Sequence, residues 1–121
     1  MSRATILVVE DSPTEQRGLT VLLEKEGYEV LTAADGEEAL AKASAGQPRL
    51  VLLDVVLPRK NGFQVCRQLK NSPGTSHLKV ILVTSKTQES DRFWGLKQGA
   101  DDYVTKPFDP RALLTAVARQ L

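Results

Sequence analysis

The sequence holds one cysteine, Cys66, so no intramolecular disulfide can form. A lone thiol suits a reducing compartment, and its simplest reading is a small core residue of a cytoplasmic protein. Long apolar runs are also missing. None exceeds four residues, against the roughly 20 that a membrane-spanning helix needs. The run Ile6–Val9 near the N-terminus is too short for a signal-peptide core and ends in the acidic pair Glu10-Asp11. Net charge is scarce: the formal value is +1, so no strong field draws the chain to nucleic acid or anionic lipid. A DNA-binding module would show a basic stripe, and there is none. The only histidine, His77, lies in the polar segment Asn71–His77 without a partner at metal-ligand spacing. Neither membrane insertion nor nucleic-acid binding is expected. What is present is a 121-residue chain, 41% hydrophobic and 26% charged, the size and balance of one globular domain with a core of its own.

Three apolar runs, Ile6–Val9, Leu50–Leu53 and Val80–Val83, are continuous rather than alternating, the pattern of strands buried on both faces. Weaker strands are expected at Glu29–Thr32 and around Tyr103–Thr105. Helix signals fall between them. Ser12-Pro13-Thr14-Glu15 has capping-box spacing with Pro at the first helical position. Leu19, Leu22 and Leu23 form its apolar stripe, and Gly27 is placed to end it. A second helix runs from about Gly36 to Ala45, with Ala39, Leu40 and Ala43 inward and Gly46 as the stop. A third covers about Gly62 to Lys70, with Phe63, Cys66 and Leu69 inward. A fourth ends at Gly99, with Phe93, Leu96 and Ala100 as its inner stripe. The last starts at Asp109-Pro110 and buries Leu113, Leu114 and Val117. Strand and helix alternate five times, which predicts an α/β fold with a doubly wound parallel sheet and helices on both faces. Right-handed crossovers and five strands favour the flavodoxin-like order 2-1-3-4-5.

Polar residues gather at one end of the strands. Glu10 and Asp11 follow the first, Asp54 the third, Thr84 the fourth and Lys106 the fifth. In open α/β sheets the carboxyl edge is where ligands bind. Two carboxylates about 4 Å apart repel by roughly 4 kcal/mol at an effective dielectric near 20. A converging Glu10, Asp11 and Asp54 therefore call for cations. Lys106 supplies one charge, and a hard, oxygen-bound ion such as Mg²⁺ supplies the rest. Carboxylate, metal, hydroxyl and ammonium around one crevice make a phosphoryl-transfer site. Each piece is ambiguous alone: a carboxylate after a strand is commonly a helix cap, and a lone lysine is commonly a surface residue. The agreement of four strand ends carries the reading.

These residues resemble the receiver domain of two-component response regulators. The resemblance rests on Ile6–Asp11, Leu53–Pro58, Gly62, Val83-Thr84, Tyr103 and Lys106-Pro107-Phe108, and spans the chain from about Thr5 onward. It implies a single receiver domain over residues 1–121 with no output domain. It implies that Asp54 accepts a phosphoryl group from a phosphohistidine on a kinase. It implies Mg²⁺ held by Asp11, Asp54 and the backbone carbonyl of Val56, with Glu10 acting through water. Lys106 and the Thr84 hydroxyl would take phosphoryl oxygens, Tyr103 would follow Thr84, and the Lys106-Pro107 bond would be cis. Leu57 and Ser85 are small departures from the family pattern, and Ser85 sits where access to the phosphoryl group is gated. Asp11–Glu15 and Trp94–Ala100 further resemble single-domain regulators of twitching motility and phototaxis, which act with chemotaxis-type histidine kinases on type IV pili.

Trp94 lies about 130° around the fourth helix from its expected inner stripe, at 100° per residue. It reads equally as a half-exposed partner anchor or as packing on the helix flank. Arg59-Lys60 borders the site as a solvated loop. The function implied is a phosphorylation switch that changes protein partners and catalyses only its own phosphotransfer and autodephosphorylation, as a monomer or a weak phosphorylation-dependent dimer. Alternatives are a phosphate sink, a phosphorylation-independent pseudo-receiver, and a haloacid-dehalogenase-like phosphatase. The last would need a second Asp two residues after the nucleophile as acid/base, where this chain has Val56.

Overall fold

Alternation along each strand sends successive side chains to opposite faces of a sheet, and here both faces are apolar. The structure, a computed structural model, describes residues 4–121. Met1–Arg3, included in the expected domain, lie outside the described residues. The order is β1 (Thr5–Val9), α1 (Pro13–Lys25), β2 (Glu29–Ala33), α2 (Gly36–Gly46), β3 (Leu50–Leu53), α3 (Gly62–Asn71), β4 (Lys79–Thr84), α4 (Glu89–Lys97), β5 (Asp102–Thr105) and α5 (Pro110–Arg119). The five strands form one parallel sheet, as the alternation predicts, in the expected flavodoxin-like order β2-β1-β3-β4-β5.

One face carries Leu7, Val9, Val51, Leu53, Val80 and Leu82, covered by Ala39 and Ala43 of α2 and by Val65, Cys66 and Leu69 of α3. The other carries Ile6, Val8, Leu50, Leu52, Ile81 and Val83, covered by α1 through Leu19 and Leu23 and by α5 through Leu113, Ala116 and Val117. A fully buried residue such as Leu7 or Leu53 stabilises the fold by about 2 kcal/mol.

The register positions the site. Val9 lies beside Leu53, Leu53 beside Leu82, and Thr84 beside Thr105. The hydrogen-bond ladder then runs one residue past the strands. Glu10 N–H donates to Ala33 O at 3.0 Å, Asp54 N–H to Val9 O at 3.1 Å, and Lys106 N–H to Thr84 O at 2.8 Å. The backbones of the polar residues are thus set by the sheet itself.

Local signals differ from expectation in three places. The Ser12 hydroxyl caps α1 by accepting from Glu15 N–H, but Ser12 N–H donates to Glu10 Oε2 rather than to Glu15, so the reciprocal box is not made. Helix α2 runs through Gly46, and Gln47 takes the left-handed turn at φ 43°. Gly46 serves closeness instead: a Cβ there would stand 2.7 Å from Leu31 Cδ1.

The largest difference is α4. Phe93 and Leu96, expected inward, are 62% and 43% exposed. Of that stripe only Ala100, beyond the helix, is buried. The helix faces the sheet with Gly95, where a Cβ would lie 2.7 Å from Leu82 Cδ1 and 3.1 Å from the Tyr103 ring. A helix seated on its glycine turns the apolar residues on either side of it outward.

Candidate functional site

Glu10, Asp54 and Thr84 are the polar residues that the ladder buries at the carboxyl edge, at 2%, 7% and 0% exposure. Burying a carboxylate is costly unless a cation and hydrogen bonds satisfy it. Lys106 meets that need. Its Nζ lies 2.5 Å from Glu10 Oε1, 3.0 Å from Asp54 Oδ2 and 3.2 Å from Glu15 Oε1. The other oxygens are held by backbone: Asp54 Oδ1 accepts from Val56 N–H at 3.0 Å and Glu10 Oε2 from Ser12 N–H at 3.2 Å. Burial, joined by the Asp54 charge, raises the Glu10 pKa above its ordinary value despite the opposing pull of Lys106. For Lys106 burial alone would lower the pKa. The hydrogen bonds and charges of Glu10 and Asp54 outweigh it, so the ammonium is held more firmly protonated than usual.

Glu10, Asp11, Asp54, Val56 and Lys106 line one open cleft, with Ser85, Pro107 and Phe108 along its wall. The convergence expected of the three carboxylates is partial. Glu10 and Asp54 meet on Lys106, while Asp11 is exposed. Among the described residues no three Asp, Glu, His or Cys side chains gather closely enough to hold a metal. The donor set still suits a hard cation, since Glu10, Asp11, Asp54 and Val56 share the cleft and Mg²⁺ is bound through one or two carboxylates with water completing its shell.

Two features of the site lie beyond what spacing indicated. Gly62 opens α3 against the Asp54 backbone, where a Cβ would stand 2.1 Å from Asp54 O. Only a residue without Cβ permits that approach. The second is Lys86, whose N–H donates to Thr84 Oγ1 at 3.4 Å and whose carbonyl accepts from the Tyr103 hydroxyl at 2.7 Å. Thr84 and Tyr103 are thereby joined through one peptide segment. Tyr103 is 3% exposed, and burial pushes its phenol up to about 12. Arg92 lies 6.0 Å above its ring and donates to its carbonyl at 3.0 Å. The Lys106-Pro107 bond is cis. Trp94 is 53% exposed and lies outside the cleft lining, sharing a surface depression with Arg67 and Lys97.

Residues 6–118 match the family model described as the response regulator receiver domain. The chain belongs to the response regulator receiver domain family. Receiver domains are components of two-component signalling, generally signalling modules rather than enzymes, and they generally bind Mg²⁺ at an acidic pocket. This receiver is 50% identical to protein PilH of Pseudomonas aeruginosa over 114 residues, 94% of each chain. It is 47% identical to the alkaline phosphatase synthesis transcriptional regulatory protein PhoP of Bacillus subtilis, covering 88% of this chain but only 43% of that protein. Among solved structures, the chemotaxis protein CheY4 of Vibrio cholerae superposes with a TM-score of 0.93 at 32% identity, covering 99% of this chain and all of the other. A CheY-like receiver domain protein from Methanospirillum hungatei gives 0.91 at 33% identity, over 98% and 94% of the two chains. No helix of the described residues is long and apolar enough to cross a membrane.

Proposed function

We propose that this receiver is a phosphorylation switch with Asp54 as its phosphoacceptor. The observation that carries the reading is the Asp54 carboxylate itself: buried at a strand end, with one oxygen on a backbone N–H and the other on Lys106. A phosphohistidine of a histidine kinase is the donor. An Asp54 oxygen bonds to phosphorus, the phosphorus–nitrogen bond breaks, and the imidazole leaves with the electron pair. Asp11, Asp54 and the Val56 carbonyl would hold Mg²⁺, with Glu10 acting through water, and the ion would supply charge neutralisation on the phosphoryl oxygens. Lys106 pairs with one such oxygen and the Thr84 hydroxyl with another.

The added charge is about −2. It draws the Thr84 hydroxyl off Lys86, and Tyr103, tied to the same residue, responds. The readout lies on α4 and the adjoining strand and helix. Phe93, Trp94 and Leu96 stand in solvent there, three large apolar side chains on one short helix, a composition suited to an output protein. The kinase is of chemotaxis type and the output partner belongs to pilus-driven motility. Asp11–Glu15 and Trp94–Ala100 support this, as does similarity to PilH and CheY4. The setting is the cytoplasm, and the protein acts as a monomer or a weak phosphorylation-dependent dimer that removes its own phosphoryl group by hydrolysis.

Intact-mass measurement after incubation with acetyl phosphate and Mg²⁺ tests the reading. A single phosphoryl addition is expected, absent without Mg²⁺ and absent in Asp54→Asn. A phosphoryl group retained in that variant sinks Asp54 as acceptor, and no addition to the wild type favours a receiver that binds partners unphosphorylated.

A further inference from the structure

A lysine ammonium has three N–H donors. In this cleft Glu10 and Asp54 accept hydrogen bonds from Lys106, and the Glu15 carboxylate stands 3.2 Å from the same Nζ as an ion pair. Glu15 stands at the third position of α1, where the spacing predicts that it would close a capping box on Ser12. Because Ser12 N–H is taken by Glu10 Oε2, the Glu15 carboxylate is free to cross the cleft to Lys106.

The three carboxylates differ in what release from Lys106 would cost. Glu10 has 2% of its side chain exposed and Asp54 9%, against 51% for Glu15. Freeing Glu10 would leave a buried carboxylate uncompensated. Glu15 can turn into water, which replaces the ammonium at little cost. A phosphoryl group arriving on Asp54 needs a donor from Lys106 and repels every carboxylate nearby.

We propose that Glu15 is a positioning residue: it holds an ion pair with Lys106 in the resting protein and yields the ammonium to the phosphoryl group. The inference rests on the phosphoacceptor reading of Asp54. With acetyl phosphate, an Asp54 oxygen bonds to phosphorus while the phosphorus–oxygen bond to acetate breaks and acetate leaves with the electron pair. The incoming phosphoryl oxygens compete with Glu15 for Lys106, so Glu15 slows the approach to the transition state.

Two variants of the full chain separate contact from field. Glu15→Gln removes the charge, and Glu15→Asp keeps it on a stem one methylene too short for Lys106. Both are expected to raise the Mg²⁺-dependent labelling rate about two- to fivefold, the factor that an exposed ion pair commands. In both, the Lys106 ammonium protons seen by ¹⁵N-edited NMR exchange faster with water than in the wild type. A wild-type rate for Glu15→Asp beside a faster Glu15→Gln would reduce Glu15 to a general field effect and overturn the proposal. Unchanged or slower labelling in both variants, with the wild type labelled at Asp54, overturns this inference alone. A wild type that takes no phosphoryl group overturns it together with the reading it rests on.

Discussion

At the scale of single residues, the site depends on one cation serving buried carboxylates. Lys106 offsets the desolvation of Glu10 and Asp54, and removing it leaves Glu10 buried without a counter-charge. Lys106→Met should cost about 3 kcal/mol near neutral pH, read as a lowered urea midpoint with unchanged slope. The pH dependence has a definite sign. The folded Glu10 pKa is raised, so its contribution to stability is fully present below the unfolded value near 4.5 and is lost as pH rises through the folded value. Without Lys106 that rise is larger, so the variant's deficit should shrink when unfolding is repeated at pH 5. A deficit equal at pH 5 and pH 8 would show that Glu10 is not the group left stranded. The raised Lys106 pKa acts at the alkaline end only. Its contribution is fully present below the ordinary lysine value and is lost at still higher pH.

At the scale of elements, α4 is the exception among five helices. The others bury aliphatic side chains on a stripe, whereas α4 meets Leu82 and Tyr103 with Gly95. The apolar period of Phe93, Leu96 and Ala100 pointed to the wrong face because a glycine carries no hydrophobic signal, although it is the residue that lets the helix come close. Two measurements on thermal or urea unfolding follow. Gly95→Ala should destabilise by about 1–3 kcal/mol through overpacking. Phe93→Ala should stay within about 0.5 kcal/mol, as exposed positions do. A Phe93→Ala cost near that of a core residue would mean that the helix packs on its aromatic side. Two helix starts were readable because caps are local chemistry: Ser12 and Asp109 each accept from a backbone N–H in the first turn, and the structure adds Asp35 and Asn61 as caps of α2 and α3. Gln47 in place of Gly46 as the left-handed residue at the end of α2 was not, since glutamine carries no signal for a positive φ.

At the scale of the whole molecule, the site exists only when the sheet is complete. Its residues run from Glu10 to Lys106 and are delivered by the ends of four strands, β1, β3, β4 and β5. Cys66 reports on that integrity. It is fully buried among the residues that cover one sheet face, and burial pushes its thiol up to about 11. A disulfide reagent at pH 8 should therefore modify the native thiol at least about 100-fold more slowly than the urea-unfolded chain. Labelling at the unfolded rate under native conditions would show α3 opening independently of the sheet.

What the sequence determined by itself is the alternation of strands and helices, the parallel sheet that follows from it, and the chemical types waiting at the strand ends. These are encoded by short-range regularities: continuous apolar runs, helical spacing, cap residues. Only the tertiary structure decided which carboxylates share Lys106, that Glu15 serves the cleft instead of its own helix end, and that Phe93 and Trp94 face water. The angle at which a helix sits on a sheet, and the choice of one ammonium among several equal charges, depend on distance and burial in three dimensions. Spacing along the chain does not carry either.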